Sequence, residues 1–117
     1  MRLSVLSAEN RLFHVECSGT IVLTDVQLHN PLDMLLGPNW FASTILLNLS
    51  EATMIDTAAV SWFIQCHKAC QEAGGCLVLH SIPPMVEQLL HLLRMQKVLH
   101  LAVNEKEARV LAQGVVR

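Results

Sequence analysis

Two short apolar runs, residues 44–49 and 76–80, flank a helical stretch that starts after Asp56 and stops at Gly74-Gly75. In the first run Ile45, Leu46, Leu47 and Leu49 leave almost no polar alternation, which marks a strand covered on both faces. Strand, helix and strand in that succession make a parallel βαβ unit with a right-handed crossover. The chain must therefore fold as a sheet with helices laid against it.

Local signals set the other elements. Asp56 is the expected N-cap, because its carboxylate can accept from the free N–H groups of the next turn. Val60, Phe63, Ile64 and His67 then recur at helical spacing, and Gly74-Gly75 stops the helix. Pro83-Pro84 opens a further helix carrying Val86, Leu89, Leu90 and Leu93. Residues 98–103 read as a last extended piece and 105–112 as a C-terminal helix. Upstream, residues 3–6 and 12–18 read as strands joined by a polar turn at Ala8-Glu9-Asn10, paired antiparallel. Gly19 marks a bend, and Ile21-Val22-Leu23 a short extension. Asn30-Pro31 starts a short helix bearing Leu32, Leu35 and Leu36, and Gly37-Pro38 ends it. The expected fold is one α/β domain: a mixed sheet of about four to five strands, with about four helices packed mainly on one side.

Composition narrows the function. The chain has 117 residues, a size that suits one domain. Apolar residues make up 52% and charged residues only 15%, so the expectation is either apolar surface left over for a partner protein or a second copy, or a well-filled aliphatic core. No apolar run reaches the roughly 18 to 20 residues of a membrane helix, and Met-Arg-Leu-Ser is not followed by a signal-peptide core. A cytoplasmic protein is expected. The net charge of −2, without a basic run, argues against nucleic acid as the main partner. Cys17, Cys66, Cys70 and Cys76 form no CxxC pair and read as reduced, buried thiols, with no metal site expected. His67 reads as a core or boundary residue, while His80, His91 and His100 are scattered. There is no glycine-rich phosphate loop, nucleophile turn or thiol–histidine motif, so neither catalytic residues nor a cofactor is expected.

The ordered set of segments resembles the STAS family, the domain of sulfate transporters and anti-sigma factor antagonists. The residues that carry the resemblance are Leu46-Leu47-Asn48-Leu49, then Ile55-Asp56-Thr57-Ala58-Ala59-Val60. Glu72-Ala73-Gly74-Gly75, Leu77-Val78-Leu79 and the helix at 85–93 follow in the family's order. Residues 13–22 look like the family's opening strand and turn, the turn falling at Gly19-Thr20-Ile21-Val22. Two positions depart from the pattern. Val22 stands where an acidic residue often closes the turn, and Ala59 stands where the family has glycine, which would let a partner's backbone come close.

The resemblance implies a STAS-like fold and a regulatory role without catalysis. In the anti-sigma factor antagonist branch the residue after the aspartate accepts a phosphate, which places the acceptor at Thr57. The implied partner is a serine/threonine kinase anti-sigma factor that brings its own ATP. The implied contact residues are Asp56, Thr57, Ala58, Ala59, Val60 and Trp62. Trp62, two positions from Val60, reads either as an exposed anchor or as packing against a neighbouring helix. The same resemblance fits a non-switching adaptor, such as the STAS subunit of a lipid-transport ATPase or a stress-sensing scaffold.

Overall fold

A computed structural model describes residues 1–22 and 30–114. Strands β1 (Arg2–Glu9) and β2 (Leu12–Ile21) form an antiparallel hairpin. Helix α1 (Pro31–Leu36) and a 3-10 turn (Trp40–Ala42) lead to β3 (Thr44–Asn48) and β4 (Ala52–Ile55). Helix α2 (Thr57–Ala73), β5 (Cys76–His80) and α3 (Pro84–Leu92) follow. A second 3-10 turn (Met95–Lys97), β6 (His100–Ala102) and α4 (Glu105–Gly114) complete the described chain.

The sheet runs β1-β2-β3-β5-β6, with all pairings after the hairpin parallel. β2 is the long strand. Its first half pairs with β3, from Leu12 against Thr44 to Glu16 against Asn48. Its last residues pair with β4, after a register shift at Gly19/Thr20. Gly19 has φ +83°, a left-handed conformation that favours glycine, and its N–H donates to the Glu51 carbonyl at 2.9 Å. The expected bend at Gly19 is thus a bulge inside a strand. β2 runs on to Ile21, so the turn read at residues 19–22 is corrected: residues 19–21 continue the strand and pair with β4. Leu23 lies outside the described residues.

Side-chain alternation gives each central strand two apolar faces. One face presents Val15, Cys17, Ile45, Leu47, Leu77 and Leu79 to α1, α2 and α3, which contribute Leu32, Phe63, Val86 and Leu90. The other face presents Leu46, Cys76 and Val78 to Ala108 and Ala112 of α4. Burying a leucine or isoleucine side chain is worth about 2 kcal/mol, so the continuous runs of β3 and β5 are what two covered faces demand. The expectation of helices mainly on one side holds for three of the four described helices. Small residues at 108 and 112 seat α4 on the opposite face.

Candidate partner-docking site

The site grows out of the junction between β4 and α2. The Asp56 N–H donates to the Ile21 carbonyl at 3.2 Å, tying the junction to the end of β2. Its extended backbone (φ −110°, ψ −178°) turns into the helix, and its Oδ1 accepts from the Ala59 N–H at 3.0 Å. Asp56 is therefore the N-cap that the sequence implies. Loss of the cap in Asp56→Ala is expected to cost about 1 kcal/mol, read as a lower midpoint in urea unfolding.

Thr57 is the first residue of α2, and its side chain is exposed. An anion there meets the positive end of a helix dipole. Residues just upstream of the tip, Thr53, Met54 and Ile55, line an apolar hollow of about 220 Å³ together with Met85, Val86 and Leu89 of α3. Met54 and Met85 are 57% and 71% exposed on its rim. Methionine is a soft, adaptable contact surface for another protein. The strand β4 that supplies Met54 was not separated from its surroundings in the sequence, because Ala52-Thr53-Met54-Ile55 carries no strong β pattern. Its pairing with the end of β2 overrides that weak propensity.

The other implied contact residues lie differently. Asp56 and Ala58 are half-buried, whereas Ala59 and Val60 are buried. Ala59 is 0% exposed, so its methyl group packs inward and does not stand in a partner's way. Trp62 is 2% exposed, and its indole N–H donates to Asn30 Oδ1 at 3.0 Å. It is no exposed anchor, because α2 is covered by the sheet on one side and by the start of α1 on another. Asn30 links the two helices: it also caps Leu32 and donates to Cys66 Sγ at 3.4 Å. Residues 59, 60 and 62 are thus covered by the fold itself, while Met54 and Met85 are exposed nearby.

Burial pushes the Cys66 and Cys70 thiols up to about 12, which makes both poor nucleophiles. His67 is buried, with its ring 5.2 Å from that of His100. Among the described residues no group of three or more His, Cys, Asp or Glu side chains could hold a metal ion. Among them no helix is long and apolar enough to cross a membrane.

The model of the STAS domain matches residues 5–108. No curated protein matches the chain. Among solved structures, the NMR structure of the protein TM1081 superimposes with a TM-score of 0.77 at 17% identity, covering 93% of this chain and 87% of that one. An anti-sigma-factor antagonist (STAS) domain protein from Planctomyces limnophilus gives 0.75 at 15% identity, covering 96% and 98%. The anti-sigma factor antagonist SpoIIAA in its unphosphorylated form gives 0.64 at 11% identity, covering 97% and 100%. These likenesses agree in fold with the mixed sheet and its crossovers, and with a family match over most of its length the chain belongs to the STAS domain family.

Proposed function

We propose that this protein is an anti-sigma factor antagonist that docks to a serine/threonine kinase anti-sigma factor and is switched off by phosphorylation of Thr57. The observation that carries the reading is the exposed Thr57 side chain at the capped tip of α2, in a segment whose preceding residues 53–55 line an apolar hollow. The hollow supplies area that a partner can desolvate, and its lining residue Ile55 lies two positions before Thr57 in the chain. A phosphate adds about −1.5 to −2 charges. The helix terminus accommodates that charge locally, but a surface that must close against apolar side chains does not. The neighbouring Asp56 carboxylate adds like-charge repulsion. Binding is thereby weakened without any change in fold. The solved anti-sigma factor antagonists of similar fold support the choice of partner class.

The test is affinity capture from the native cell with wild-type, Thr57→Ala and Thr57→Glu baits, with phosphopeptide mapping across residues 54–68. Thr57→Ala is expected to retain the kinase. Thr57→Glu, an imperfect mimic, is expected to recover about tenfold less of it. Equal recovery by both variants would reject the switch. Co-purification of an ATPase subunit in place of a kinase would favour the adaptor role.

A further inference from the structure

Among the described residues the sheet ends at β6, which pairs with β5 on one side only. Beyond its other side an open groove of about 490 Å³ runs between α3 and α4. Ile82, Leu101 and Leu111 give it apolar walls, and Glu87, His91 and Glu107 give it a polar rim. No lysine or arginine is among the lining residues. His91 lies 3.8 Å from Glu87, and Arg109 is held by Glu105 at 2.8 Å, so that arginine is engaged away from Glu107.

Three features coincide here. A sheet edge is a template for another strand, and β6 carries neither of the usual guards, lysine and proline. The walls offer apolar area on both sides of the edge. The carboxylates of α3 and α4 flank the groove and set the sign of charge it accepts. A compact metabolite would stay largely hydrated in so open a groove, whereas an extended chain gains the backbone partners along the edge. We infer that the β6 edge is a second docking site, which accepts an extended basic segment of a partner protein carrying alternating aliphatic and lysine or arginine side chains. The inference does not depend on the reading of Thr57.

The probe is the peptide acetyl-Lys-Val-Lys-Val-Lys-Val-amide, titrated at low salt into the ¹⁵N-labelled protein. Saturable shifts are expected at β6 and around Glu87 and Glu107. The Glu87→Gln/Glu107→Gln double variant is expected to bind about fivefold more weakly, the size of two partly screened surface contacts. Should that variant misfold, added salt must weaken the wild-type complex in its place. The peptide with glutamate in place of lysine should not bind. Absence of saturation, shifts centred on Thr57, or equal binding of the acidic peptide would overturn the inference. So would octyltrimethylammonium reproducing the same shifts, which would assign the groove to a small organic cation.

Discussion

A Gly75→Ala variant is expected to lose about 3 kcal/mol or more of stability, the upper range for forcing an atom into filled space. A Cβ at residue 75 falls inside the contact distance of the Phe41 and Ser43 carbonyl oxygens and lies 3.1 Å from the Ala42 carbonyl carbon. These are backbone atoms and cannot rotate aside. They are also committed: the Ser43 carbonyl accepts from the Cys76 N–H at 3.1 Å, and the Gly75 N–H donates to the Cys70 carbonyl at 2.8 Å. The methyl group would pry β5 from the segment entering β3, at the point where the parallel core begins. Gly74 provides the control. It has φ +83° and nothing within 4 Å of an added Cβ, so Gly74→Ala should cost only the strain of a left-handed alanine, about 1 kcal/mol. Urea unfolding followed by circular dichroism measures both. If the two variants melt alike, the close approach at Gly75 does not govern stability.

Acid is expected to destabilise the protein steeply between pH 6.5 and about 4, through a pair of buried imidazoles. His14 on β2 and His80 on β5 face α4, and their Nε2 atoms lie 2.9 Å apart. His80 Nδ1 is 2.8 Å from Ser81 Oγ, and His14 Nδ1 is 3.7 Å from Glu105 Oε1. One arrangement gives every nitrogen a complementary neighbour while Glu105 is ionised. The Ser81 hydroxyl donates to His80 Nδ1, His80 Nε2–H donates to His14 Nε2, and His14 Nδ1–H faces the carboxylate. Both rings are neutral in it. Burial lowers His14 below the ordinary histidine value and takes His80 from 6.5 to about 4. Glu105 and Glu16 oppose the shift at His14, while Arg109 reinforces it. At His80 the His14 ring and Arg109 reinforce it and Glu105 opposes it.

The folded state therefore binds fewer protons than the unfolded chain in this range. The stabilisation is complete above pH 6.5 and drains away as pH falls through the folded value of His80. His80 is 0% exposed, and its shift corresponds to a loss on the order of 3 kcal/mol. Chemical unfolding at a series of pH values tests this. His80→Asn should flatten the slope between pH 6.5 and about 4, even though it lowers stability at neutral pH. A wild-type protein whose stability does not change across that window would contradict the neutral pair.

Helix α2 shows how far the sequence carries and where it stops. Its cap at Asp56, its spacing and its double-glycine end were all legible, because each is a local interaction encoded within a turn of the chain. The exposed position of Thr57 follows from that cap. Trp62 resolved otherwise because its burial depends on Asn30, thirty-two positions away. The methionine rim was illegible for the same reason, since Met54 and Met85 meet only after β4 and α3 pack together. His14 and His80 look unrelated along the chain, and only two parallel strands flanking β3 bring their rings into contact. Periodicity identifies a face. Which partner covers that face is a long-range fact.

Among the described residues, the β1–β2 hairpin is the only pairing between strands joined by a tight turn. Every other ladder waits for distant chain: β2 ends at Ile21, while its parallel neighbour starts at Thr44, and β5 only at Cys76. On a ribosome, the long second strand would emerge with one edge zipped in microseconds and the other edge bare until the crossovers arrive. Until then the strand presents an open edge of the kind that pairs with other chains.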